Sequence, residues 1–253
     1  MAATPLKKRI PEDESLDDLI LGQMKLWQSK KGYRFSIDAV LLAHFPLLDR
    51  VDQVVDLGTG SGVIPLLLAY RKPGLKITGL ELQKGLAQRA RRSVAYNRLE
   101  QNIRIIEGDI KNTARILPGG RVDLVTSNPP YWKKGEGKAP ACPETALARH
   151  ELAIDFNQVV EQAGYLLAAE GCLALIQRSA RLQEALQVMQ RHGLKATRLR
   201  MIHSFPDQAA RLFLLEGKKT GAETGLDIRP PLFIYQGPGK YCEEINAIYR
   251  GEG

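Results

Sequence analysis

The stretch Ser127-Asn128-Pro129-Pro130-Tyr131-Trp132 sets a neutral carboxamide, two consecutive prolines and aromatic rings side by side. The prolines fix φ and donate no N–H, so the turn is stiff and its carbonyls face outside donors. This equipment suits a flat substrate bearing an exocyclic amine. Asn128 Oδ1 and the Pro129 carbonyl can each accept one amine hydrogen, Pro130 keeps the turn rigid, and Tyr131 can stack on the ring. An amine on an aromatic ring is a poor nucleophile because its lone pair is delocalised. Accepting both of its hydrogens favours a geometry in which that lone pair points at an electrophile. Alone, the segment is equally compatible with a turn that carries a core tyrosine.

A second motif changes the weighing. Val54-Val55-Asp56-Leu57-Gly58-Thr59-Gly60-Ser61-Gly62 runs into the apolar stretch Val63 to Ala69. A hydrophobic strand, a glycine-rich turn and a helix form the opening unit of a nucleotide-binding sheet. Alternating glycines let the backbone turn sharply and approach a ligand without Cβ obstruction. The dinucleotide fingerprint needs Gly-x-Gly-x-x-Gly, whereas the glycines here are 58, 60 and 62. Asp56, directly before the turn, is also poorly placed to face a pyrophosphate; a cationic ligand fits better. Lys76 to Glu81 and Ile103 to Glu107 resemble further strands. Glu81 suits a paired grip on ribose hydroxyls, and Asp109, beyond Gly108, suits an adenine amino group.

These stations need a scaffold that brings strand ends together. Apolar periodicity predicts strands near 51–56, 75–81, 102–107 and 122–127, alternating with helices near 63–71 and 84–98. Ligands bind at the C-terminal ends of such strands. Asp38 to Leu48 has helical spacing and would cap the crevice. Phe156 to Ala169 predicts an amphipathic helix, Gly171 to Gln177 a buried strand and Ala180 to Arg191 a further helix. Leu194 to His203 and Ala209 to Glu216 predict two final strands. The expected fold is α/β, a Rossmann-like doubly wound seven-stranded sheet, mostly parallel, to which a resemblance to a known family adds an antiparallel C-terminal strand. It forms a single domain over 21–253 with N- and C-terminal extensions, after a flexible leader over 1–20.

Taken in order, the motifs resemble those of class I S-adenosylmethionine-dependent methyltransferases. Asp56 to Gly62 is similar to their first motif, Glu81 to their ribose acid, Asp109 to their adenine contact, and Asn128 to Tyr131 to the catalytic motif of amino-methylating members. The opening Lys31-Gly32-Tyr33-Arg34-Phe35-Ser36-Ile37-Asp38-Ala39-Val40-Leu41-Leu42-Ala43, the segment Ala148-Arg149-His150-Glu151 and the ending around Pro230-Pro231-Leu232 narrow the resemblance. Together they are similar to the small bacterial tRNA adenine-N6 methyltransferases, over roughly residues 22–251. The resemblance implies S-adenosylmethionine as cofactor, held by Arg34, Phe35, Asp38, Asp56, Gly58, Thr59, Gly60, Gly62, Glu81, Leu82, Asp109, Ile110 and Asn128. It implies catalysis by Asn128, Pro129, Pro130 and Tyr131, on the adenine next to the anticodon of a valine tRNA. The basic loop from Lys133 to Pro140 and the leader before Leu19 depart from the family pattern.

Composition bears on partners. The chain has 253 residues and a net charge of +8, which favours a polyanion. Lys133, Lys134 and Lys138 follow the catalytic motif where substrate phosphates must pass, and with Lys30 and Lys31 they are the expected RNA contacts. Arg89, Arg91 and Arg92 sit on a predicted helix and read as a solvated face. No uninterrupted apolar run is long enough to span a bilayer, so no membrane is expected. The leader's Lys7-Lys8-Arg9 is followed by acids rather than a hydrophobic signal core. Cys142, Cys172 and Cys242 lack Cys-x-x-Cys spacing, and the histidines at 44, 150, 192 and 203 lack metal-ligand spacing. Reduced thiols in the cytoplasm and no metal are expected; the oligomeric state is not legible. The rival readings are a glutamine-N5 protein methyltransferase, a guanine-N2 RNA methyltransferase and a non-catalytic RNA-binding module. The first normally carries an extra N-terminal helical domain and gives no reason for the basic excess; the last has no need of an intact set of acids.

Overall fold

The computed structural model describes residues 11–20, 23–32, 34–131, 154–219 and 225–252. Strands β1 (Glu14–Ile20) and β2 (Met24–Ser29) form an antiparallel hairpin. The main sheet comprises β3 (Gln53–Leu57), β4 (Lys76–Glu81), β5 (Ile103–Glu107), β6 (Val122–Ser127), β7 (Leu167–Arg178), β8 (Leu194–His203), β9 (Ala210–Lys219) and β10 (Asp227–Phe233). Its order is β10-β8-β9-β7-β6-β3-β4-β5. Strand β9 is antiparallel to both neighbours, and the remaining pairs are parallel. A small hairpin, β11 (Tyr235–Gly237) and β12 (Lys240–Tyr241), follows.

The helices are α1 (Ile37–His44), α2 (Val63–Arg71), α3 (Lys84–Tyr96), the single turn α4 (Thr113–Ile116), α5 (Phe156–Leu166), α6 (Leu182–Arg191) and α7 (Glu243–Arg250). The two-residue period of the strands divides the core between the sheet's faces. Val54, Leu124, Ala174, Ile176 and Leu214 join one buried cluster with residues of α1, α2, α3 and α7. Val55, Val125, Leu173, Leu175 and Leu215 join the other, with α5 and α6. Helix α5 starts at a capping box in which Asp155 accepts from the Gln158 N–H.

The doubly wound α/β sheet is the expected one, and two details differ from expectation. The sheet has an eighth strand, β10, parallel to β8. Pro230 and Pro231 fall in its register shift between Arg229 and Leu232, and on an edge strand their missing N–H groups disrupt no inner ladder. The leader, expected to be flexible through residue 20, instead enters β1 at Glu14.

The arginines read as a solvated face explain that second difference. Glu14 is buried, accepts a hydrogen bond from Arg92 and lies 3.9 Å from the Arg89 guanidinium. The Arg92 guanidinium sits 5.0 Å over the Trp27 ring, and Ser93 Oγ accepts the Trp27 N–H at 3.0 Å. Asn97 completes the docking by exchanging hydrogen bonds of 3.0 and 2.7 Å with the Lys25 backbone.

Glu14 is buried while the Arg92 side chain that donates to it stays 40% exposed. Glu14→Ala therefore removes a charge-assisted hydrogen bond and should lower stability by about 1.5–3 kcal/mol in urea unfolding. Asp18→Ala, which breaks the more exposed 2.7 Å pair with Lys25, should cost less than about 1 kcal/mol. Equal small effects would show that the arginines do not hold the hairpin.

Candidate active site

After β3 the chain passes to β4 on one side and later returns to β6 on the other, so β3 and β6 are neighbours at the point where the strand order reverses. A crevice opens beyond the C-terminal ends of strands at such a point. Here it is a cleft of about 870 Å³ measured to its open mouth. Asp56 and Thr126 are in register across the seam, and Thr126 Oγ1 donates to Asp56 Oδ1 at 2.7 Å. One residue further on, Ser127 Oγ donates to the Leu57 carbonyl at 2.9 Å. These buried bonds fix the height of the glycine turn against the Asn128 loop.

Gly58, Gly60 and Gly62 all take left-handed φ values, 77°, 58° and 92°, which side chains resist. The turn is tied to β4: the N–H groups of Gly58 and Thr59 donate to the Leu80 carbonyl at 2.9 and 3.1 Å. Glu81 Oε2 accepts the Gly60 N–H at 2.9 Å, and its Oε1 accepts the Gln83 N–H at 2.8 Å. These two bonds orient the Glu81 carboxylate at the edge of the turn. Gly79 beneath the turn was not singled out by its sequence context. A Cβ there would lie 2.8 Å from Thr59 Oγ1, so β4 must be bare for the turn to rest on it.

Of the residues expected at the site, Phe35, Gly58, Thr59, Gly60, Glu81, Leu82, Ile110, Asn128, Pro129 and Pro130 line this cleft. Ala39, from the opening motif but not expected at the site, and Gln83, Leu86, Ile154 and Val159, which no motif marked, add further walls. Asp56 is fully buried beneath the turn rather than on the wall. Burial pushes its carboxyl up to about 6, and the neighbouring Glu81 charge adds to the rise while threonine hydroxyls oppose it. Gly62 sits behind the turn, where a Cβ would be 3.3 Å from that of Ala90. Asp109 caps the short 3-10 turn Ile110–Asn112, its Oδ1 accepting the Lys111 N–H at 2.9 Å. Arg34 is exposed and pairs with Asp17 of β1. Lys30 and Lys31 are exposed on the segment leading to Phe35, with Lys30 Nζ donating to the Glu12 carbonyl at 3.0 Å. Lys133, Lys134, Lys138 and the Ala148 to Glu151 segment lie outside the described residues.

The Asn128 loop is braced from two sides. Gln177 of β7, fully buried, donates from Nε2 to the Pro130 carbonyl at 3.2 Å, and its Oε1 accepts the Arg178 N–H at 2.9 Å. The Tyr131 hydroxyl donates to Asp38 Oδ2 of α1 at 2.6 Å. Among the described residues, nothing hydrogen-bonds to the Asn128 carboxamide or the Pro129 carbonyl, and both residues line the cleft. The two acceptors that suit an exocyclic amine are thus presented together. Among the described residues there is no cluster suited to a metal, and no helix is long and apolar enough to cross a membrane.

The glycine turn braced by an acid and the polar loop across the seam from it form one cleft, and the chain that builds it is similar to known proteins. The family model described as methyltransferase small domain matches residues 36–197, and the chain belongs to that family. Within it, the chain is 30% identical over 231 residues to the tRNA1(Val) (adenine(37)-N6)-methyltransferase of Porphyromonas gingivalis strain W83, covering 88% of this chain and 89% of the relative. A relative with the same name from Aeromonas salmonicida strain A449 is 32% identical over 200 residues, 78% of this chain and 81% of the relative. A solved structure described as a predicted O-methyltransferase from Agrobacterium tumefaciens shares the fold. Its TM-score is 0.68 at 24% identity, over 85% of this chain and 97% of that one.

The buried Asp56 gives the fold a pH signature. Its folded value, about 6, lies above the ordinary 3.8. The native state therefore binds this proton more tightly. The stability it contributes is present below the unfolded value and lost as pH rises through about 6. In Asp56→Asn this titration is gone, so the variant's stability relative to wild type should rise by on the order of 3 kcal/mol between about pH 4 and 7, then level off. Urea unfolding across pH checks this; a flat difference would mean an ordinary carboxylate.

Proposed function

We propose that this chain transfers the methyl group of S-adenosylmethionine to N6 of an adenine in tRNA. The reading rests on one observation: a single cleft joins the Glu81-braced glycine turn to a rigid loop that presents the Asn128 carboxamide beside the Pro129 carbonyl. The names of the two relatives support the substrate, adenine 37 of tRNA1(Val). A tRNA substrate and the expected reduced thiols favour action in the cytoplasm.

The residues present fit the cofactor. Glu81, on the cleft wall and oriented by two backbone N–H groups, is the candidate for the ribose hydroxyls. Leu82 and Ile110 offer apolar surface to the adenine ring, and Phe35, Ala39 and the turn from Gly58 to Gly60 face the remainder of the cleft. Asp109, next to Ile110, is the candidate for the adenine amino group. Asp56 and Gly62 act from behind, by shaping the turn. When bound, the cofactor supplies an electrophilic methyl on a sulfonium.

The chain's own part in the reaction is orientation. Asn128 Oδ1 and Pro129 O accept the two hydrogens of the target amine and turn its lone pair outward, while Tyr131 stacks on the base. Each such preorganised polar contact contributes on the order of 2–4 kcal/mol. No strong base is required, because the nitrogen's proton becomes acidic once the nitrogen is alkylated. An anticodon-loop base is partly unstacked already, so presenting it costs less than flipping one from a duplex. Lys133, Lys134 and Lys138, with Lys30 and Lys31, are proposed to meet backbone phosphates.

Asn128→Ala should cut turnover on unmodified tRNA1(Val) transcript by about 10²-fold with little change in calorimetric cofactor affinity. Glu81→Ala should do the reverse, weakening cofactor binding by about 1.5–3 kcal/mol. Nucleoside mass spectrometry of the treated tRNA reads the product directly. Near-normal N6-methyladenosine from Asn128→Ala, or a methyl group found on protein glutamine instead, would overturn the reading.

Replacing Lys133, Lys134 and Lys138 together with Ala should weaken binding to all RNAs and make log affinity fall less steeply with log salt. An unchanged slope would remove these lysines from the interface.

A further inference from the structure

The geometry points to Asp38 as a positioning residue that holds the Tyr131 ring ready for the base, rather than as a cofactor ligand. This rests on the reading of the cleft as a tRNA adenine-N6 methyltransferase site.

Asp38 lies in the first turn of α1, half-buried and off the cleft wall, between Phe35 and Ala39, which are on it. Its Oδ2 receives the Tyr131 hydroxyl at 2.6 Å, across 93 residues of sequence. That distance is typical of a hydroxyl donating to a carboxylate, a bond about twice as strong as a neutral one. The other end of Tyr131 is held through the backbone. It follows two φ-locked prolines, and the carbonyl immediately before it, that of Pro130, is occupied by Gln177. A ring fixed at both ends has lost its side-chain freedom before the substrate arrives, so stacking a base on it carries less ordering cost.

The helix turn that supplies Asp38 is itself anchored. The buried Gln28 of β2 accepts the Phe35 N–H at 3.0 Å through Oε1 and donates through Nε2 to Asp17 of β1. Phe35, Asp38 and Ala39 thus belong to one fixed piece, with the cofactor wall on one side and the Tyr131 latch on the other. Cofactor binding bears on the turn that orients the base plate, so the two ligands should favour each other's binding by the same factor.

The test is a double-mutant cycle on unmodified tRNA1(Val) transcript, with kcat, cofactor affinity and melting temperature measured for each variant. Asp38→Ala and Tyr131→Phe should each lower kcat by about tenfold, the scale of one oriented hydrogen bond. The double variant should be no worse than either single one, because both changes remove the same bond. Asp38→Asn, which keeps an acceptor oxygen, should stay within about threefold of wild type by the same scale. Cofactor affinity and melting temperature should hold throughout. S-Adenosylhomocysteine should tighten transcript binding in the wild type and do so less in Tyr131→Phe. Multiplicative losses in the double variant overturn the inference. So does an Asp38→Ala protein that binds cofactor poorly yet keeps its kcat, and, if Asp38→Ala fails to fold, an Asp38→Asn protein as impaired as Tyr131→Phe would do the same. A wild-type protein that methylates no tRNA overturns the functional reading together with this one, whereas the cycle's outcome in an active enzyme overturns this inference alone.

Discussion

The seam between β3 and β6 is the constraint on which the site depends. Each strand delivers one half of the cleft at its C-terminal end, the glycine turn from β3 and the Asn128 loop from β6. A slip of one residue would turn every side chain to the opposite face and separate the halves. Two side-chain bonds guard that register, Thr126 to Asp56 and Ser127 to the Leu57 carbonyl. Burying a carboxyl there is costly unless it is paired or protonated, and the upward push on Asp56 is the signature of that cost. The fold accepts the burial because the acid stands where the strands must not shift.

The acids around the cleft, three near strand ends and one in the first turn of α1, look alike in sequence and differ in use. Asp56 pins a seam, Asp109 caps a turn, Asp38 holds a tyrosine, and Glu81 alone both braces backbone and lines the cleft. The difference lies in what each carboxylate meets. Two backbone N–H groups pointing at Glu81 orient it at the wall, whereas full burial below the turn leaves Asp56 to threonine hydroxyls. Position at a strand end therefore says that an acid is near the cleft, and its local partners decide whether it lines the wall.

Much of this architecture is legible in the sequence because strands buried on both faces are continuous apolar runs and the glycine turn has a fixed spacing. The Asn-Pro-Pro-Tyr loop is legible for the same reason, its chemistry being local. What is not legible depends on partners far along the chain. Strand β1 hides in a polar leader because Glu14 finds Arg92 and Arg89 some 78 residues later. Those arginines resemble a solvated face until Trp27 is laid beneath one of them. The eighth strand hides behind Pro230 and Pro231, which argue against a central strand and are harmless at an edge. Gln177 is an ordinary amide in a strand, and only the fold shows that its partner is the Pro130 carbonyl. Gly79 carries no motif of its own; its lack of a side chain matters because Thr59 lies on it.

The same electrostatics explain why position 128 carries an amide. The end of the seam already holds Glu81 at the wall and Asp56 below it, and the Glu81 charge contributes to the rise in Asp56. A carboxylate at 128 would accept amine hydrogens equally well, but it would add a third negative charge in a poorly solvated cleft. Like charges at that range favour protonation of one another, and a protonated acid presents a donor where the proposed reaction calls for an acceptor. The carboxamide of Asn128 accepts through Oδ1 at any pH and leaves the two acids undisturbed. Its neighbour Pro129 contributes a second acceptor that has no protonation state in this range at all. With Gln177 occupying the next carbonyl, the loop offers its acceptors as a fixed pair, set by backbone rigidity and neutrality rather than by charge.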